Sequence, residues 1–205
     1  MPKKTSLAAN AISCQRGGRV LFEGLSFTLE PGESLLVTGP NGAGKTSLLR
    51  LIAGLLPLQA GSIEGEDASV PLPELCHYVG HLNGIKSALT LGENVSFWVG
   101  FLGGDGSGVQ SAYRMFGLAE LKDLPAGLLS AGQKRKLALL RLFAAPRPIW
   151  LLDEPSVSLD VSSVKVLDKA IAQHLAQGGI AVVASHTALK VKFAQELALK
   201  LEPLT

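Results

Sequence analysis

The chain has 205 residues, 47% apolar and 18% charged, with a formal net charge of +2. That length suffices for one domain with a sizeable core, and so small a charge does not argue for nucleic acid, so no nucleic-acid partner is expected. Cys14 and Cys76 stand far apart with no C-x-x-C pairing and read as reduced thiols rather than a disulfide frame.

A mean hydropathy of +0.30 is apolar for a free monomer and points to surface covered by a partner. The most apolar run, 137–152, is broken by Arg141, Pro146, Arg147 and Pro148, so no membrane-spanning helix is expected. The lysines of the opening MPKKTS have no apolar core behind them, so no secretory signal is expected either.

In chain order, residues 7–14, 20–30 and 34–38 read as strands, with Pro31-Gly32 turning between the last two. Leu21, Leu25, Phe27 and Leu29 mostly alternate with polar residues, which suits a half-exposed antiparallel strand. Then GPNGAGKTS fits the pattern G-x-x-x-x-G-K-[ST], with Gly39, Gly44, Lys45 and Thr46 at the fixed positions. Leu48, Leu49, Leu51, Ile52, Leu55 and Leu56 follow at helical spacing, so the motif sits between a strand and a helix N-terminus. There the loop Gly39-Pro40-Asn41-Gly42-Ala43-Gly44 can turn backbone N–H groups toward phosphate oxygens with few Cβ atoms in the way. The helix N-terminus adds partial positive charge. Lys45 would reach the β- and γ-phosphates, Thr46 would ligate Mg²⁺, and Ser47 ends the motif.

A turn-rich stretch, 54–73, holds a short strand near 62–64, and 75–80 reads as another strand. Residues 90–145 show helical spacing interrupted by Gly103-Gly104-Asp105-Gly106, a small helical insertion. Within it Leu129-Ser130-Ala131-Gly132-Gln133 opens a helix, with Ser130 and Gln133 as a capping box ahead of Leu137, Leu140 and Ala144. Lys134, Arg135 and Lys136 fall in its first turn, where each cation opposes the helix dipole by about a few tenths of a kcal/mol. So positive a helix start suits an anion such as a γ-phosphate.

Residues 148–153 form a continuous apolar strand ending in Asp153 and Glu154. Burying a strand up to an acidic pair is costly unless the acids face a ligand at its C-terminal end. Asp153 fits the acid that holds Mg²⁺ beside Thr46, and Glu154 a general base that polarises water. The plainer alternative is that both acids cap the loop at Pro155-Ser156. A helix over 161–177, with Val164, Leu167, Ile171 and Leu175 on one side, precedes a buried strand over 179–185. The alternation predicts an α/β fold with a mainly parallel core sheet, antiparallel N-terminal strands and a small helical subdomain.

The phosphate loop, the Leu-Ser-Ala-Gly-Gln segment and the Asp153-Glu154 strand, in this order and spacing, resemble the ABC ATPases. The segment is similar to their LSGGQ signature, with Ala131 in place of a glycine. The resemblance covers the whole chain and implies a P-loop NTPase that hydrolyses ATP with Mg²⁺. It implies a single ABC ATPase domain over 1–205, with a RecA-like core at about 1–85 and 146–205 and a helical subdomain at about 86–145. It also implies a head-to-tail dimer around ATP. Ser130 and Gly132, with Gln133 of the same motif, would meet the γ-phosphate held by the second copy.

Ser158-Leu159-Asp160 is similar to the D-loop of that interface, though Asp160 can also simply cap the next helix. His186 matches the switch histidine that touches the γ-phosphate and joins Lys45 and Glu154 as a catalytic candidate. Two positions depart from the family pattern. His81 stands where a Mg²⁺-sensing glutamine is usual, and an imidazole is a different ligand from an amide. Arg16 stands where an aromatic usually stacks on adenine, and its planar guanidinium can also stack.

Cys14-Gln15-Arg16, Leu21-Phe22-x-Gly24-Leu25-Ser26-Phe27, Gly80-His81-x-x-Gly84-Ile85-Lys86, the Ala131 variant and Trp150-Leu151-Leu152-Asp153 narrow the resemblance further. Together they resemble the ATPase subunits of bacterial haem-handling complexes for cytochrome c biogenesis. That implies haem export or release of a haem-loaded chaperone, from a peripheral position on the cytoplasmic face of the inner membrane. Integral-membrane subunits would meet the surface near His81 and residues 90–128, with 95–99 either a contact or a plain core helix. The alternative is the ATPase of another small-molecule or lipid exporter. A P-loop kinase would not explain the signature at Leu129. Ribosome- or DNA-acting relatives usually carry two ATPase units or a long coiled-coil insertion. His77 and His81 are four residues apart beside Cys76, but on a strand and loop they would not converge, so no direct haem site is expected.

Overall fold

The computed structural model describes residues 5–66, 69–187 and 189–201. The first four residues of MPKKTS, and residues 67–68 of the turn-rich stretch, lie outside these.

Strands β1 (Leu7–Arg16) and β2 (Arg19–Leu29) form an antiparallel hairpin, and β4 (Ala60–Gly65) joins the other side of β1. The alternation read in β2 is present: Phe22 and Leu29 are buried, Leu25 and Phe27 half-buried, and the residues between them exposed. The second sheet has order β5-β6-β7-β3-β8 and is parallel throughout. Its strands are β3 (Ser34–Thr38), β5 (Cys76–Val79), β6 (Ile149–Asp153), β7 (Ile180–Ala184) and β8 (Gln195–Ala198).

The unbroken apolar runs of β6 and β7 follow from cover on both faces. Ile149, Leu151, Ile180 and Val182 pack with α1 (Lys45–Ile52) and the N-terminal sheet. Trp150, Leu152, Ala181 and Val183 pack with α6 (Val161–Ala176) and the helical insertion. Leu167 and Ile171 of α6 are fully buried, each contributing about 1.5–3 kcal/mol; Val164 and Leu175 are only half-buried. The insertion holds α3 (Leu91–Phe101), α4 (Val109–Met115) and α5 (Ala131–Leu139). Thr90 and Glu93 cap α3 reciprocally.

Three elements differ from the sequence reading. Helix α1 stops at Ile52, because Gly54 takes a left-handed φ of 67° and the Leu55 N–H donates back to Arg50 O. Leu55 and Leu56 therefore lie in the turn, and Leu55 is largely exposed. Leu75 ends a short helix, α2 (Leu72–Leu75), which carries a proline in its first turn, so β5 begins at Cys76. Strand β8 has no counterpart among the strands expected from the sequence. Its four residues alternate half-buried and exposed at the sheet edge, which leaves no apolar run to see.

Candidate nucleotide site

Gly39 leaves β3 with φ 132°, where a Cβ would stand 2.3 Å from Leu199 O. Gly44, with φ 104°, is the N-cap of α1 and makes no side-chain capping bond. The first turn of α1 also has no acidic side chain, so this helix start is suited to an anion.

Lys45 Nζ donates to Gly39 O (2.7 Å) and Pro40 O (3.1 Å) across the mouth of this loop. Burial pulls the Lys45 pKa down, against the carboxylates of Glu154 and Asp153, which hold it up. Its ammonium also lies 2.9 Å from His186 Nε2, which is in turn 3.0 Å from Asn41 Oδ1. With its proton on Nδ1 the imidazole accepts from Lys45; with the proton on Nε2 it donates to Asn41.

Thr46 Oγ1 donates to Asp153 Oδ2 at 2.9 Å, joining the start of α1 to the end of β6. Both groups offer oxygen ligands on the wall of one cleft, a donor set that fits a hard divalent cation. Among the described residues no group of three or more His, Cys, Asp and Glu side chains gathers to hold a metal, so such an ion would need further oxygen ligands from its nucleotide or water.

Glu154 follows Asp153 in a left-handed conformation, φ 48°, which costs a non-glycine residue about 1–2 kcal/mol. The turn is held by the Glu154 N–H, which donates to Ala184 O at 2.8 Å. It aims the carboxylate at the cleft, where both oxygens accept from the His186 N–H at 3.2 Å.

The cleft, about 480 Å³, thus brings together Asn41, Gly42, Gly44, Lys45, Thr46, Ser47, His81, Asp153, Glu154 and His186. His81 is exposed on its wall, whereas His77 is buried and its Nε2 lies 2.7 Å from Ala145 O. Ala43 is buried beneath the loop. Arg16 is exposed at the tip of the β1–β2 hairpin and is not among the residues lining the cleft.

Ser130, Gly132, Gln133 and Asp160 form a separate surface at the start of α5 and α6. Ser130 Oγ accepts from the Gln133 N–H and Gln133 Oε1 from the Ser130 N–H, the capping box read from sequence. A Cβ on Gly132 would sit 2.9 Å from Ser158 O, so the turn before Asp160 packs directly on the signature helix. Asp160 caps α6 by accepting from the Ser163 N–H at 2.7 Å. The Ser162 hydroxyl, and then that bond, hold its carboxyl below the usual range.

Of the three first-turn cations, Arg135 alone does not face solvent at the helix start. Lys134 donates to Gly127 O, Lys136 pairs with Asp160 at 3.7 Å, and Arg135 turns inward and is buried. Sequence reasoning missed Arg135. The available signal was its position: residues 135, 138, 139 and 142 share the buried face of one helix and its continuation.

The sequence profile of the ABC transporter family matches residues 22–157. The chain belongs to the ABC transporter family, as an ATP-binding subunit. It is 51% identical to the cytochrome c biogenesis ATP-binding export protein CcmA of Nitrobacter winogradskyi over 187 residues, 90% of this chain and 94% of the relative. It is 49% identical to CcmA of Rhodospirillum rubrum over 197 residues, 94% of this chain and 84% of the relative. Among solved structures, an ATP-binding protein assigned to ABC transporters from Pyrococcus furiosus shares the fold. Its TM-score is 0.81 at 23% identity, over 95% of this chain and 97% of that one.

The fold is therefore that of the ABC ATPases, an α/β P-loop NTPase. The chain binds ATP and its activity is ATP hydrolysis coupled to transport. A subunit of this kind works as a dimer with membrane partners. Among the described residues no helix is long and apolar enough to cross a membrane.

Proposed function

We propose that the chain is the ATP-hydrolysing subunit of a bacterial complex for cytochrome c biogenesis, exporting haem or releasing a haem-loaded chaperone. The observation that carries this is identity of about half the residues with CcmA over nine-tenths of the chain.

In this reading Gly39–Ser47 wraps the nucleotide phosphates and Lys45 neutralises the β- and γ-phosphates. Thr46 and Asp153 would hold Mg²⁺, which neutralises phosphate charge when bound. Glu154 takes the proton of the attacking water, and His186 steadies the γ-phosphate beside it. His81 contacts the same end of the site, and Arg16 stacks on adenine. The 2.9 Å Thr46–Asp153 bond and the orientation of Glu154 toward the cleft support these roles.

The second copy docks head to tail and brings Ser130, Gly132 and Gln133 to the γ-phosphate, with Asp160 in the same interface. Support comes from the apolar side chains around them: Leu128, Val157 and Val161 are all exposed. The chain forms one domain, with a RecA-like core at about 1–85 and 146–205 and a helical subdomain at about 86–145. In support, every sheet strand lies outside the latter range.

The chain sits on the cytoplasmic face of the inner membrane, bound to integral-membrane subunits through α3 and its surroundings. Val95 is buried, but Phe97 and Phe101 are exposed and their rings stack at 5.8 Å beside Trp98. An adjoining groove of about 520 Å³ is lined by Leu55, Pro73, Trp98 and Phe101.

The test is a deletion strain complemented with Lys45→Ala protein. Its cells should lack covalently haem-bound c-type cytochromes while b-type cytochromes and total haem stay normal. Unchanged haem staining of c-type cytochromes would leave the ATPase reading standing and assign the chain to another small-molecule or lipid exporter.

A further inference from the structure

Arg135 is a buried cation, and among the described residues no carboxylate is in hydrogen-bond contact with it. A guanidinium has five N–H donors in one plane, and here all five are used. Nη2 donates to Asp153 O and Glu154 O, both at 2.9 Å. Nε donates to Pro155 O at 3.1 Å. Nη1 donates to Gly80 O at 2.8 Å and to Asn83 Oδ1 at 3.1 Å. Three acceptors thus belong to the turn that carries Glu154, and two to the loop that carries His81. The charge itself is compensated at longer range by the Asp153 and Glu154 carboxylates, which oppose the downward pull of burial on the Arg135 pKa.

We infer that Arg135 is a positioning residue for hydrolysis, tying the loop at 80–83 to the left-handed turn that aims Glu154. The inference rests on the reading of Glu154 as general base. The Glu154 peptide is gripped from both sides, its N–H by Ala184 O and its carbonyl by Arg135. That grip holds a conformation that glutamate does not choose unaided.

Arg141 extends the tie. It donates to Tyr78 O and to the main-chain oxygen of Asn83, and its guanidinium lies 4.1 Å from the Trp98 ring centroid. Asn83 is the shared link, its side chain held by one arginine and its backbone by the other. A displacement of the loop at 80–83 is therefore transmitted to the Glu154 carbonyl. Lysine cannot replace Arg135, because a point ammonium with three donors does not span two segments in one plane.

The experiment compares Arg135→Lys, Asn83→Ala, Glu154→Gln and Arg135→Lys/Glu154→Gln in the complex purified from its host through a tag on this chain. Steady-state kinetics separate kcat from KM for ATP, and thermal melts check folding. Arg135→Lys should lower kcat at least tenfold and Asn83→Ala about threefold, each with KM within twofold of the parent. The double variant should be no slower than Glu154→Gln. Should Arg135→Lys fail to fold, Asn83→Ala decides alone. Parental kcat in both single variants beside an inactive Glu154→Gln would overturn the inference, as would a KM that rises in step with the loss of rate. Full turnover in Glu154→Gln would sink the base reading and the inference with it.

Discussion

Thr46 and Asp153, 107 residues apart in sequence, meet in a 2.9 Å hydrogen bond that places the phosphate loop beside the acidic end of β6. Each residue closes a segment of different physics: a helix start with free N–H groups, and a buried strand that reaches polar surroundings only at its last residue. Their meeting puts Lys45 and Thr46 of the loop on one cleft wall with Asp153 and Glu154.

Replacing Glu154 by glutamine should keep the shape of the left-handed turn and the bond from the His186 N–H, but remove the proposed base. ATP binding should persist while turnover falls about 10²–10⁴-fold. ATP should then hold the chain as a dimer, visible by size-exclusion chromatography. Hydrolysis at the parental rate in the assembled complex would reject the role.

Lys45→Ala should act one step earlier. The ammonium bridges Gly39 O, Pro40 O and His186 across the loop mouth, so its loss removes a clamp on the loop together with the proposed phosphate charge compensation. A fluorescent-nucleotide titration should show affinity reduced by at least about tenfold, equivalent to about 1.4 kcal/mol. Unchanged affinity with lost turnover would instead make Lys45 purely catalytic.

Arg16 stands exposed on the hairpin, and stacking on adenine is worth about 0.5–2 kcal/mol. Arg16→Ala should weaken ATP binding severalfold and Arg16→Tyr should largely restore it. Equal dissociation constants in all three proteins would leave Arg16 in solvent.

Two buried histidines predict acid sensitivity. Burial pushes the pKa of His77 down to about 3 and of His174 to about 4, with Ala145 O, Pro148 O and Ile180 O as hydrogen-bond partners. Both lie below the unfolded value near 6.5, so between those limits the unfolded chain binds more protons. Stability is complete above about pH 6.5 and is lost as pH falls toward 4, by up to about 1.4 kcal/mol per pH unit for each histidine. Melting temperatures should drop between pH 6.5 and 4.5. His174→Gln should melt lower at pH 7.5 but with a flatter profile, and an equally steep profile would acquit His174.

The parts of this fold visible in the sequence are those whose partners are near or interchangeable. The phosphate loop declares itself through Gly39, Gly44 and Lys45, and β6 through an apolar run that any two covered faces would demand. Ser130 and Gln133 make their capping box within four residues. What stayed hidden depends on distant backbone. Arg135 stands in a Lys-Arg-Lys run that reads as solvated charge, and its acceptors are carbonyls 18 to 55 residues away. Strand β8 is a strand only because β3 offers it an edge.

That last pairing has a consequence for the order of synthesis. Strand β3, residues 34–38, takes its two neighbours from residues 180–184 and 195–198, and the Leu199 N–H closes on Thr38 O beneath the phosphate loop. A chain emerging from the ribosome makes the loop early but cannot seat it until that later segment has followed. Competence to bind ATP is therefore expected only once the segment through Leu199 has emerged.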